Sequence, residues 1–118
     1  MDPQVRHNYG VLLANMGSLE KALTELKEAV RLNPRSAQFH LDLGNALVQA
    51  GDDSQAEQEY RGLIEQDNAN GEAHLRLAEL LTRRGQPEDA RQHYEKAADS
   101  PNPKVRQAAL TALHRGTE

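Results

Sequence analysis

The chain has 118 residues, of which 37% are hydrophobic, 3% aromatic and 27% charged, with no cysteine and a formal net charge of −4. That length suits one domain with a core built mainly from Leu, Ala and Val, a helix-forming vocabulary. The acidic balance argues against nucleic acid and acidic lipid surfaces as partners, and the lack of cysteine excludes disulfides, thiolate zinc sites and thiol nucleophiles.

In chain order, Asp2 and Pro3 are a cap and a first-turn proline for a helix whose apolar stripe is Val5, Tyr9, Leu12, Leu13 and Met16. Gly17 ends it. Ser18 marks the start of a second helix with its stripe at Leu23, Leu26, Ala29 and Val30, closed by Asn33-Pro34. Phe39, Leu43, Ala46, Leu47 and Ala50 form the stripe of a third helix, which ends at Gly51. Asp52, with Gln55 three residues on, resembles a capping box for a fourth helix that carries Tyr60, Leu63 and Ile64. Ala73, Leu77, Leu80 and Leu81 make a fifth stripe before Gly85, and Pro87 opens a sixth helix with Tyr94, Ala97 and Ala98. Asn102-Pro103 begins a seventh, with Val105, Ala109, Ala112 and Leu113 on one face. The N-terminal stretch MDPQVRHNYG lacks a basic start followed by an apolar run, and no segment approaches the roughly 18 apolar residues of a membrane span, so a soluble chain is expected. Its compartment, cytoplasmic or periplasmic after removal of a signal, stays open.

The same pattern recurs every 34 residues. Gly17, Gly51 and Gly85 share one column, and Ala22, Ala56 and Ala90 another five residues later. A glycine in the left-handed conformation ends a helix, and an alanine lets the next one approach closely, so each copy predicts a helical hairpin. Helices of this length are marginal alone, so neighbouring stripes must bury one another. The period of 34, Leu43-Gly44 with its approximations Tyr9-Gly10 and Leu77-Ala78, the second-helix aromatics Tyr60 and Tyr94, and Pro34 together resemble three tetratricopeptide repeats. Arg6, His40 and His74 stand where that family often has Trp, and Asn68 and Asn102 replace its loop proline. The resemblance implies an all-α, right-handed α-solenoid with repeats at about 3–36, 37–70 and 71–102. Residues 103–115 then form a capping helix, although their pattern also resembles the first helix of a HEAT-like repeat.

No chemistry-bearing motif stands out. The five histidines, His7, His40, His74, His93 and His114, show no i, i+4 zinc spacing, although His40 and His74 occupy equivalent positions in successive repeats. The glycines fall in repeat columns, not in a phosphate loop or nucleophile elbow. Asp52, Asp53, Glu57 and Glu59 suit a helix start and a solvated face. No catalytic residue, metal site or cofactor is expected.

Members of the resembled family typically hold extended peptides or partner helices in the concave groove lined by the first helices. Helical spacing places Gln4, His7, Val11, Ala14 and Asn15, then Gln38, Leu41, Asn45, Val48 and Gln49, then Glu72, Leu75, Glu79, Thr82 and Arg83 on that side here, and the resemblance adds Arg76. Val11, Leu41, Val48 and Leu75 are expected off the core stripe, where apolar residues signal a binding surface, and the Asn45 amide suits the backbone of a ligand. A variant that grips anionic chaperone tails is disfavoured: its columns hold His7, Val11, Asp42, Glu72 and Arg76, of which only Arg76 fits. The resulting expectation is a non-catalytic protein-binding scaffold. Self-assembly through the terminal helices, giving a homo-oligomer, is the alternative, and RNA binding is a less favoured one.

Overall fold

The computed structural model describes residues 2–116, and among them it contains seven α-helices and no strand. These are α1 (Pro3–Asn15), α2 (Leu19–Leu32), α3 (Ala37–Gln49), α4 (Asp53–Gln66), α5 (Gly71–Arg83), α6 (Pro87–Ala97) and α7 (Pro103–Gly116). The chain forms two compact units, one running to Glu59 and the other starting at Tyr60, with the division inside α4.

The helix ends follow from local chemistry. The Asp2 carboxylate accepts from Gln4 N–H at 2.7 Å, Ser36 from Phe39 N–H at 3.2 Å, Asp52 from Gln55 N–H at 3.2 Å, Asn70 from Ala73 N–H at 3.1 Å and Asn102 from Lys104 N–H at 2.9 Å. Ser18 stands at the expected N-cap of α2, but its side chain makes no cap hydrogen bond. Gly17, Gly51 and Gly85 have φ of 84°, 84° and 80°, the left-handed conformation that only glycine takes without strain. After each, a backbone N–H reaches back over the turn: Ser18 to Leu13 O, Asp52 to Leu47 O and Gln86 to Leu81 O, each at 2.9 Å. These bonds satisfy carbonyls that a helix end leaves without partners, and the chain reverses within three residues.

In the first unit α1 packs along α2, and α3 packs on both. The approach is close at Gly10, where a Cβ would lie 2.7 Å from Leu26 Cγ, and Ala22 and Leu26 are buried. Phe39, Leu43, Ala46 and Leu47 bury the stripe of α3 as expected, whereas Ala50 is exposed. α1 departs from its expected pattern: Leu13 is buried, but Val5, Tyr9, Leu12 and Met16 are exposed. The helix turns a narrow inner edge of Gly10 and Leu13 toward α2, so the rest of its apolar stripe faces outward.

In the second unit α5 packs along α6, and α7 lies on both. Ala73, Leu77, Leu80 and Leu81 of α5 and Ala90 and Ala97 of α6 are buried, with Tyr94 half-buried. Val105 and Ala109 of α7 join Leu75 and Ala97 in one cluster, against which Tyr94 and Ala98 pack. The docking face of α7 is narrower than expected, since Ala112 and Leu113 are only half-buried.

These contacts give Gly10 and Gly62 opposite responses to alanine. A methyl at Gly10 collides with Leu26, while nothing lies within 4 Å of one at Gly62, in the interior of α4. In urea unfolding, Gly10→Ala is expected to lose about 1 to 2 kcal/mol, whereas Gly62→Ala gains up to about 1 kcal/mol from helix propensity. The reverse sign at either position would contradict the packing of α1 on α2 or the open face of α4.

Candidate partner-binding site

The first unit carries an open recess between α1 and α3, of about 180 Å³, lined by Val11, Ala14 and Asn15 on one side and Asp42, Asn45, Ala46 and Gln49 on the other. Leu26 of α2 lines it as well. Val11 and Asn45, both expected to face a ligand, are brought together here. His7 is not available in the expected way. It is buried, its ring stacks on Phe39 with centroids 4.6 Å apart, and its Nε2 lies 2.6 Å from Asp42 Oδ2. Gln4 Nε2 and Asn8 Oδ1 lie 3.4 and 3.3 Å from its Nδ1. Asp42 also accepts from the exposed Gln38 amide at 3.0 Å. His7 therefore positions the recess carboxylate and fastens α1 to α3. Val48 is half-buried and does not line the recess.

Leu41 and Leu75, expected to stand off the core, are buried, each 5% exposed. For Leu75 the reason is visible: α7 covers it with Val105 and Ala109. Arg76, next to it, is held by carboxylates of its own helix, with Nη1 3.0 Å from Glu79 and Nη2 3.4 Å from Glu72. Burial opposes its charge, and the hydrogen bond it donates to Glu79 leads the effects that raise its pKa. A guanidinium bridged in this way is poorly placed to grip an anionic tail. Glu79 is exposed and lines a second recess, of about 780 Å³, with Tyr94 of α6 and Lys104, Gln107, Ala108, Thr111 and Arg115 of α7. Among the described residues no three His, Asp or Glu side chains converge on a possible metal site, and no helix is long and apolar enough to cross a membrane.

Two family models match, a TPR repeat over residues 10–51 and a tetratricopeptide repeat over residues 55–113. The chain belongs to the tetratricopeptide repeat family. A TPR repeat-containing protein of Pseudomonas aeruginosa, PA4299, is 40% identical over 58 residues, which make up 49% of this chain and 24% of that protein, so the chain spans about a quarter of the relative's length. Among solved structures, the type III secretion translocator chaperone SycD of Yersinia enterocolitica superposes with a TM-score of 0.89 at 17% identity, covering 96% of this chain and 88% of that one. PcrH of Pseudomonas aeruginosa, in complex with the chaperone binding region of PopB, gives 0.86 at 19% identity, with 94% of each chain covered.

Within each tetratricopeptide hairpin one polar pair recurs at a separation of 19 residues, a relation that helical periodicity does not reveal. Arg6 Nη1 lies 3.1 Å from Glu25 Oε2, His40 Nδ1 2.6 Å from Glu59 Oε2 and His74 Nδ1 2.9 Å from His93 Nδ1. His40 and His74 thus each pair within their own repeat, and each reaches back six residues to a loop carbonyl, Pro34 O at 2.7 Å and Asn68 O at 2.8 Å. In the third repeat the carboxylate is replaced by a second imidazole. His74 donates from Nε2 to Asn68 O, so its Nδ1 accepts, and His93 supplies the proton between the rings. Burial, then the neighbouring His74 and Arg61, hold the His93 pKa below its ordinary 6.5, with Asp89 opposing them. A lowered folded-state pKa means that the unfolded chain binds the proton more readily. This contribution to stability is therefore complete above about pH 6.5 and is lost as pH falls below it. Thermal melts from about pH 7.5 to 5 are expected to show the native protein losing stability relative to His93→Glu, which restores the carboxylate of the other repeats. Parallel curves for the two proteins would contradict the shared-proton pair.

Proposed function

We propose that this chain is a non-catalytic protein-binding module that takes a linear peptide segment or partner helix at the α1–α3 recess. The observation that carries the reading is the composition of that recess: the apolar surfaces of Val11, Ala14 and Ala46 lie beside the amides of Asn45 and Gln49 and the oriented carboxylate of Asp42. Such a mixture suits an apolar anchor side chain flanked by backbone hydrogen-bonding groups, with a basic or donor group near Asp42. The engagement of a peptide region by PcrH, a protein of similar fold, supports the same mode here. His7 and Asp42, the titratable pair at the site, are bound to each other, an arrangement that orients the Asp42 carboxylate at the recess. Gln38 sits at the edge and steadies Asp42. Arg76 and Glu79 of α5, the buried Leu41 and Leu75 and the half-buried Val48 have no direct contact with the ligand in this reading.

A displayed library of random linear peptides tests the proposal. Selection on the native chain is expected to enrich sequences with an apolar anchor, and a selected peptide is expected to bind Val11→Asp and Asn45→Ala at least about tenfold more weakly, at unchanged melting temperature. Equal binding to the native chain and both variants would overturn the assignment.

A further inference from the structure

Of the side chains that line the α1–α3 recess, only Asp42 carries a charge; the others are apolar or, at Asn15, Asn45 and Gln49, neutral amides. The Asp42 side chain is 21% exposed and is held by one oxygen: His7 Nε2 at 2.6 Å and the Gln38 amide at 3.0 Å both meet Oδ2. Among the described residues none hydrogen-bonds Oδ1. A carboxylate anchored in this way cannot swing to follow a donor, so a partner has to bring its donor to a fixed point.

Neither helix of the recess offers Asp42 a Lys or Arg. α3 has no other Asp, Glu, Lys or Arg, and the only one on α1, Arg6, lies 3.1 Å from Glu25. In a chain of net charge −4, the open oxygen therefore favours a cation over a neutral donor, since a charge-assisted hydrogen bond is about twice as strong as a neutral one. Position adds a spacing. His7, which binds Asp42, precedes Val11 by four residues on α1, and Asp42 precedes Ala46 by four on α3, so the carboxylate marks one end of the recess. Four helical residues rise about 6 Å, a span that an extended chain covers in about two residues. The recess, at about 180 Å³, is smaller than the pockets that enclose a whole small ligand and suits a single anchor side chain.

We propose that the segment bound at this recess is cationic at one defined place, an inference that rests on the peptide-binding reading of the site. An Arg or Lys, about two residues to one side of the apolar anchor in an extended segment or one turn away in a helical one, donates to Asp42 Oδ1. The anchor lies against Val11, Ala14 and Ala46. Asp42 thus selects the partner and sets the direction in which its chain lies, while His7 and Gln38 are positioning residues that act through the carboxylate.

Peptides selected from a random displayed library on the native chain are expected to carry Lys or Arg at one offset, on one side of the anchor only. A synthetic selected peptide in which citrulline replaces that Arg, or norleucine that Lys, is expected to bind the native chain at least about tenfold more weakly. Asp42→Asn is expected to remove the difference between the charged and neutral peptides. A readout on the native chain guards against loss of fold in that variant: carbodiimide coupling of the lysine form of the peptide is expected to join it to Asp42, as mapped by mass spectrometry. Selected peptides that have an apolar anchor and are blocked by Val11→Asp, yet show no basic preference, overturn the cationic partner and leave the recess assignment standing. Peptides that bind the native chain, Val11→Asp and Asn45→Ala alike remove both. A basic preference that folded Asp42→Asn retains in full, or coupling at a different carboxylate, overturns the role of Asp42.

Discussion

Two helices can lie along each other in so short a hairpin only if their closest point carries almost no side chain. Ala22, Ala56 and Ala90 meet that requirement in the three repeats and are at most 1% exposed, and in the first hairpin Gly10 adds a second small residue against Leu26. The turn glycines are the other half of the constraint, because a left-handed residue lets the backbone reverse within three residues while the last carbonyls keep their hydrogen bonds. Once the helices are this close, little of the small-residue side remains for anything else. The other faces of each first helix are then left to contact a neighbour or a partner.

On α1 those faces divide the work. Gly10 and Leu13 point to α2, Val11 and Ala14 line the recess shared with α3, and Val5, Tyr9, Leu12 and Met16 look outward. A polar pair ties each hairpin together: Arg6 to Glu25, His40 to Glu59 and His74 to His93. The exchange of a carboxylate for an imidazole at residue 93 replaces a histidine–carboxylate hydrogen bond with a pair of rings that shares one proton. Chemically distinct repeats can therefore share one backbone plan.

Much of this organisation was legible in the sequence because it is enforced by backbone chemistry. Left-handed turns require glycine, close contacts require alanine or glycine, and the residues before α1, α4 and α7 announce themselves as caps. Ser36 and Asn70, each one residue before a helix, cap α3 and α5 in the same way. The candidate site was less legible, for a geometric reason. Helical period identifies one apolar stripe, but a helix with neighbours on two sides buries a wider arc, so Leu75 disappears under Val105 and Ala109 of α7 although it lies off the stripe. The converse holds for α1, where Val5, Tyr9, Leu12 and Met16 satisfy the period and yet lack a covering helix in the first unit. The pairs 19 residues apart depend on how the two helices of a hairpin align, which no single-helix pattern encodes.

The close approach of paired helices, and the docking of α7 that buries Leu75, are open to direct observation in solution. Proton–proton Overhauser contacts on methyl-labelled protein should connect the Leu26 methyls with the Gly10 α-protons, and the Leu75 methyls with those of Val105 and Ala109. Both sets of cross-peaks are predicted at near-contact intensity. Their absence, while amide shifts still report intact helices, would contradict the packing on which the binding surfaces depend.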